Sequence, residues 1–465
     1  MNILFAYPNI NGNHDDDYHF GLASIVSVAR EAGHNVKVVI ISKKSDYSNL
    51  LVEVKSFKPL VIGFSSVSSQ FHYVKEMAAL IKKSFPSVII ICGGVHPTIN
   101  TDALLETEMI NGFFVGESEL SIIEFLDKIE KGESFKETDN FAYVQNGEIV
   151  RNKLKNLLEN LDLLPHPDKE IYPYKKTIQD LGYAPFFFAR GCPFMCTYCS
   201  NHALAKLYER KRNYPRFRSP ETSILEIEEV MEKYGDLIKH VWIMDDIFGL
   251  NNTWREEFCK KYKSRIKKKF MILLRVEMAS DGLFDMLKDA GCFRIFFGVE
   301  SGNEKVRSEI MGRKMSNEEI INAFDLCHQR GLETLAVNMI GVPGESEKEI
   351  LDTLRLNRRL HPTDSCANIF YPYKGTKLGD RCFKDGLIDK KIFSNFSNER
   401  RETVLKYSVE HKKILSYYHD KWPILVDPYN VKLRLIRFLQ KIGMFEFARK
   451  IKEMLLSRLE VLQKL

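Results

Sequence analysis

Three cysteines fall within eight residues in the stretch Ala189-Arg190-Gly191-Cys192-Pro193-Phe194-Met195-Cys196-Thr197-Tyr198-Cys199-Ser200-Asn201. Thiolates bunched on one loop suit a soft metal or an iron–sulfur cluster. A zinc site or a four-thiolate cluster needs a fourth ligand nearby. The next cysteine, Cys259, lies 60 residues on, inside a helical pattern. Three thiolates without a fourth are what a [4Fe–4S] cluster needs to keep one iron open. The scattered thiols Cys259, Cys292, Cys327, Cys366 and Cys382 read as structural.

The loop follows an apolar run, Ala184 to Phe188, and from there to about Thr376 short apolar strands alternate with helical patterns. Strands are expected at Pro185–Phe188, His240–Met244, Met271–Val276, Arg294–Val299, Thr334–Ile340 and Ala367–Tyr371. Six such units predict a partial (β/α)6 barrel, whose chemistry lies at the C-terminal strand ends. Those ends carry Asp245-Asp246, Arg275-Val276-Glu277, Glu300-Ser301 and Gly341-Val342-Pro343-Gly344. Carboxylates and an arginine there would hold ammonium, hydroxyl and carboxylate groups of a ligand.

Residues 2–132 show the same rhythm with fully apolar strands, which predicts a doubly wound, Rossmann-like parallel sheet. Its turns are Asp17-Tyr18-His19-Phe20-Gly21, then Ser65-Ser66-Val67-Ser68, then Gly93-Gly94-Val95-His96-Pro97. Paired glycines admit a large ligand close to the backbone, and hydroxyls supply hydrogen bonds without bulk. A hairpin with Asn146-Gly147 at its turn and a proline-punctuated stretch at Leu161–Asp168 read as a linker. The expected organisation is an N-terminal domain over 1–135, hairpin and linker over 136–180, the barrel over 181–380 and a helical region over 381–465.

The cysteine spacing, with Tyr198 just before the last cysteine, resembles the signature of radical S-adenosylmethionine (SAM) enzymes. The resemblance implies that Cys192, Cys196 and Cys199 bind a [4Fe–4S] cluster whose open iron SAM chelates. Reductive cleavage of SAM would then give a 5′-deoxyadenosyl radical. Tyr198, Asp245, Asp246, Arg275, Glu300, Ser301 and Gly341 are the expected SAM contacts. The three N-terminal turns resemble those of the cobalamin-binding domain, which implies cobalamin contacts at Ser65, Ser66, Gly93, Gly94 and His96. The first loop is one residue short of the family's Asp-x-His-x-x-Gly, which puts cobalt ligation by His19 in doubt. Together these features are similar to the cobalamin-binding radical SAM enzymes over residues 1 to about 380. The commonest chemistry of that class, methylation of an unactivated carbon, is the expected reaction. Radical oxidative cyclisation, as in the anaerobic cyclase of tetrapyrrole synthesis, and a non-catalytic cobalamin or redox sensor are the alternatives.

The net charge of +6 on 465 residues is too mild to argue for nucleic acid. No apolar stretch reaches the length of a membrane span, and a strand begins almost at Met1, so a cytoplasmic setting is expected. The expected partners are a hydrophobic or anionic small-molecule substrate and an external electron donor such as flavodoxin or ferredoxin. The last helix, Phe445 to Leu465, reads as amphipathic and packed on the barrel.

Overall fold

The computed structural model describes residues 1–10, 19–208, 214–393, 396 and 398–428. The N-terminal elements are β1 (Asn2–Pro8), α1 (Phe20–Glu31), β2 (Asn35–Ile41), α2 (Tyr47–Phe57), β3 (Val61–Ser65) and α3 (Phe71–Ser84). They continue with β4 (Ile89–Gly93), α4 (Val95–Ile99), β5 (Gly112–Phe114), α5 (Glu119–Glu130), β6 (Phe141–Gln145) and β7 (Glu148–Arg151). The sheet order is β2-β1-β3-β4-β5-β6-β7. Its first five strands are parallel, and every residue of β3 is buried, as a strand covered on both faces requires. Strand order reverses between β1 and β3, so the crevice of a doubly wound sheet opens between their carboxyl ends.

The hairpin β6–β7 extends this sheet rather than serving as a linker. Phe113 pairs with Ala142 and Phe114 with Phe141, antiparallel, and Phe141 is fully buried. Burial of that aromatic edge ties the hairpin, as far as Arg151, to the N-terminal sheet.

The second half begins with α6 (Tyr174–Leu181), β8 (Tyr183–Phe186), β9 (Ala189–Arg190), α7 (Ser200–Leu207), β10 (Arg216–Phe217) and α8 (Pro220–Tyr234). Next come β11 (His240–Ile243), α9 (Asn252–Arg265), β12 (Lys269–Leu274), α10 (Asp281–Asp289), β13 (Cys292–Glu300) and α11 (Asn317–Gln329). The chain continues through β14 (Glu333–Ile340), α12 (Glu347–Leu360), β15 (Asp364–Ile369), α13 (Lys377–Lys384), α14 (Lys390–Phe393) and α15 (Val409–Val426). Strands β8, β11, β12, β13, β14 and β15 lie in chain order, all parallel, as the expected partial barrel. Alternation along β14, with every second residue buried, follows from helices covering the outer face while the inner face lines a partly open lumen. One apolar core runs through both halves, from Ile3, Phe5 and Leu22 to Phe186, Ile224 and Ile243.

Helix α15 packs against the last strands of the barrel. Leu415, Tyr418 and Trp422 pack on Ile340, Ile350 and Ile369, and Trp422 Nε1 donates to Ser365 Oγ at 2.9 Å, so the helix covers the outer face of the last strand. It begins at Val409, and residues 398–408 before it run irregularly, with Ile369 N donating to Arg400 O at 2.8 Å. The expected last helix, Phe445 to Leu465, lies outside the described residues. Among the described residues no helix is long and apolar enough to cross a membrane.

Candidate functional site

The cysteine loop is suspended between fixed points. Ahead of it, Phe188 N and Ala189 N donate to Asp245 Oδ1 at 2.6 and 2.9 Å. The two-residue ribbon β9–β10 then carries Arg190 against Arg216. Gly191 follows with φ +86, and a Cβ there would lie 2.6 Å from the Tyr214 ring, so the turn into Cys192 admits only glycine. Midway, Thr197 N donates to Met311 O at 3.0 Å, and Thr197 O accepts from Leu378 N at 2.8 Å. Cys199 is the N-cap of α7, where the helix dipole favours a thiolate.

Burial pushes the Cys192 and Cys199 thiols up to about 11 and about 12, with Asp246 and the neighbouring thiols pushing the same way. Thiolates there therefore call for a positively charged partner. Two guanidiniums answer part of that demand: Arg275 Nη1 donates to Cys196 Sγ at 3.4 Å and Arg313 Nη1 at 3.6 Å. Hydrogen bonds to cluster-bound sulfur are among the levers that set a cluster's potential. Among the described residues no His, Cys, Asp or Glu side chains gather as ligands of a single metal ion. A cluster is a larger body with each thiolate on a different iron, and an open, cation-lined, three-thiol loop suits it.

The strand-end residues separate into two groups. Asp246, Glu300 and Tyr198 lie near the cysteine loop: Asp246 bears on the Cys192 and Cys199 thiols, and Glu300 on the Tyr198 phenol. Asp246 is open to solvent yet ringed by protein, and that desolvation raises its carboxyl. Glu300 adopts φ +66 where β13 slips register against β14, a left-handed bulge at the strand end. Tyr198 sits beside Glu300 and Arg313, and burial holds its phenol well above the ordinary range. Gly341 begins the turn after β14, with φ +79, and its N–H donates to Glu345. Burial raises the Glu345 carboxyl to about 8, so it is a neutral acid at pH 7.

Three expected SAM contacts also have partners within the protein. Asp245 is fully buried and braces the main chain at the loop's entry. Ser301 is fully buried in a knot where Asn303 N donates to its Oγ at 3.2 Å and Thr353 Oγ1 lies 3.4 Å away. Arg275 is held by Glu277, lies 3.8 Å over the Phe194 ring and spends Nη1 on Cys196. In each case burial left the polar group with a neighbour in the protein, which strand-end position alone does not reveal. Arg313 was not anticipated, since nothing in its local sequence marks it out; its place depends on the turn after Val306–Ile310.

On the N-terminal sheet, Ser65, Ser66, Gly93 and Gly94 meet at the ends of β3 and β4. Ser66 N donates to Gly93 O at 2.9 Å, and His96 N to Ser66 O at 3.1 Å. Gly94, with φ +100, stands exposed, and a Cβ would lie 2.9 Å from both Ser66 N and Ser66 O. His96 Nδ1 is 3.0 Å from Ser68 Oγ, its ring packs 4.5 Å from Phe71, and burial lowers it to about 4. Its Nε2 is buried with no hydrogen-bond partner among the described residues, an atom that a polar group of a bound ligand would satisfy. Asp17 lies outside the described residues.

His19 caps α1: Leu22 N donates to its Nδ1 at 3.0 Å. Burial lowers it to about 4, so the ring is neutral at pH 7 and the remaining proton sits on Nε2, 3.4 Å from Ser65 Oγ.

Two family profiles match the chain: the radical SAM superfamily over residues 186–356 and the B12 binding domain over residues 14–126. This chain is a radical SAM protein with a cobalamin-binding domain. Its cofactors are accordingly a [4Fe–4S] cluster, SAM and cobalamin. It is similar to an uncharacterized methyltransferase of Pyrococcus horikoshii, 26% identical over 79% of each chain. It is also similar to the anaerobic magnesium-protoporphyrin IX monomethyl ester cyclase of Rubrivivax gelatinosus, 22% identical over 82% of this chain and 70% of that one. Its fold matches that of the radical SAM methyltransferase TsrM of Kitasatospora setae with a TM-score of 0.68 at 16% identity, covering 82% of this chain and 76% of that one.

Proposed function

We propose that this radical SAM protein is a cobalamin-dependent C-methyltransferase acting on a small molecule. Cys192, Cys196 and Cys199 hold the cluster, and Arg275 and Arg313 offset negative charge at Cys196. Asp246, Glu300, Tyr198 and the Gly341 turn receive SAM: the carboxylates take its ammonium and ribose hydroxyls, and the turn's main chain takes the adenine. Ser65, Ser66, Gly93, Gly94 and His96 receive cobalamin. When bound, these groups supply a hydrogen-abstracting radical and a transferable methyl group. The protein's own task is to orient them and to keep water from the site; the segment after β15 is tied to the cysteine loop where Leu378 N donates to Thr197 O at 2.8 Å.

The observation that carries the reading is the pairing of two prepared sites in one chain. A cation-lined three-thiol loop stands at the end of β8, and a glycine turn too tight for any side chain stands at the end of β4. Methyltransferase relatives such as the Pyrococcus horikoshii protein support methylation over cyclisation. We assign the cytoplasm as its setting, with a flavodoxin or ferredoxin as electron donor. Incubating the reduced, cobalamin-loaded protein with methyl-labelled SAM tests the reading without the substrate: label is recovered on the cobalamin. Bound cobalamin that stays unlabelled would overturn methylation.

A further inference from the structure

Hydrogen bonds and ion pairs run without a break from the cobalamin-side glycine turn to the cysteine loop. Thr98 Oγ1 donates to Gly94 O at 2.8 Å and accepts from Gly116 N at 3.0 Å. The next residue, Glu117, receives Arg190 Nη1 at 2.9 Å and Arg216 Nη1 at 3.2 Å, while Arg190 Nη2 pairs with Glu119. Arg190 stands two residues before Cys192. Its neighbour across the ribbon is Arg216, which also donates to Leu158 O at 2.7 Å. Two arginines in direct register would repel each other. Glu117 and Glu119, both from the cobalamin-binding domain, make that register stable.

Two of these groups are well removed from water, the Arg216 side chain being 3% exposed and that of Glu119 9%, while Arg190 and Glu117 are partly buried at 22% and 25%. A guanidinium shared between two carboxylates fixes direction as well as distance, which an ammonium would not. The pair therefore constrains the angle at which the cysteine loop leaves β9.

We infer that Arg190 is a positioning residue that sets the cluster loop at a fixed distance and angle from the cobalamin turn, acting through Glu117 and Glu119. The inference rests on the cofactor reading above. Its purpose follows from the geometry of two cofactors serving one substrate carbon, where a misplacement of about 1 Å can cost about 100-fold in rate. Arg190 touches neither substrate nor cofactor in this role.

The test is spectroscopic and needs no turnover. The protein is loaded with cluster and cob(II)alamin, and the microwave power saturation of the cobalt signal is compared with the cluster oxidised and reduced. In the wild type, the reduced paramagnetic cluster speeds cobalt relaxation. In Arg190→Met, with both cofactors bound in full, most of that enhancement is lost. The double exchange Arg190→Glu with Glu119→Arg restores part of it. A role in stability alone would lower the melting temperature and leave the relaxation unchanged, and that result overturns the inference. Glu119→Gln gives a smaller loss in the same direction and decides the matter if Arg190→Met does not fold; full enhancement there overturns the inference equally. A wild type that binds its cluster but no cobalamin overturns the underlying cofactor reading, a separate and recognisable result.

Discussion

Gly94→Ala isolates the cobalamin cradle from the rest of the protein. Gly94 has φ +100 and ψ −170, a region that only glycine adopts freely, and forcing alanine into it costs about 1–3 kcal/mol. The added methyl would also lie 2.9 Å from Ser66 N and O and 3.2 Å from Ser65 Oγ. Two of those three atoms are main chain, and the turn is tied by the Ser66–Gly93 and His96–Ser66 bonds, so no rotamer change relieves the contact. Overpacking of this kind adds about 1–3 kcal/mol. The total is about 2–6 kcal/mol, and even its lower end weakens cobalamin binding about 25-fold if it must be met when the turn closes on the ligand. The assay is calorimetric titration of apo-protein with hydroxocobalamin, alongside iron analysis, which should show a full cluster in the same sample. Gly132→Ala, with φ +70 and nothing within 4 Å of the added Cβ, controls for backbone strain without a clash. Unchanged cobalamin affinity in a folded Gly94→Ala protein would refute the placement of the cradle.

Other consequences are more direct. Cys196→Ala abolishes cluster iron and its visible absorbance while hydroxocobalamin still binds, because the two sites stand on different sheets. Asp245 is raised from 3.8 to about 7, which corresponds to about 4 kcal/mol in favour of the neutral acid at about 1.4 kcal/mol per pH unit. Because the folded value is the higher one, this stability is fully present below about pH 4 and is lost as pH rises through about 7. Asp245→Asn removes that pH dependence, so the variant's melting temperature gains on the wild type between pH 4 and pH 7; a parallel pair of curves would contradict the assignment. His19→Ala loses an N-cap, about 1 kcal/mol in thermal stability, but leaves the cobalt spectrum of bound cob(II)alamin unaltered; new loss of nitrogen splitting would show that His19 ligates after all.

The features legible from sequence are those carried by local pattern. Crowded thiols, apolar strands of four to eight residues and a Gly-Gly turn each declare themselves within one window. Long-range polar partners do not. Asp245 and Asp246 are adjacent and chemically identical, yet one braces Phe188 and Ala189 while the other is exposed, because successive strand-end residues point to opposite sides. The contact of Ser301 with Thr353 of helix α12 is equally hidden in the sequence. The ribbon of Ala189–Arg190 with Arg216–Phe217 is too short to show any period. Arg190 and Glu117 are 73 residues apart, and no charge pattern says which of 68 basic residues meets which of 62 acidic ones. The hairpin β6–β7 was visible as a hairpin, but its attachment to β5 depends on burying Phe141 against Phe114, a pairing decided by packing.

The most direct measurement is the fate of SAM in anaerobically reconstituted protein under strong reductant. The account predicts 5′-deoxyadenosine from the wild type and none from Cys196→Ala. A wild type with its full complement of iron and sulfide that yields no 5′-deoxyadenosine would contradict it.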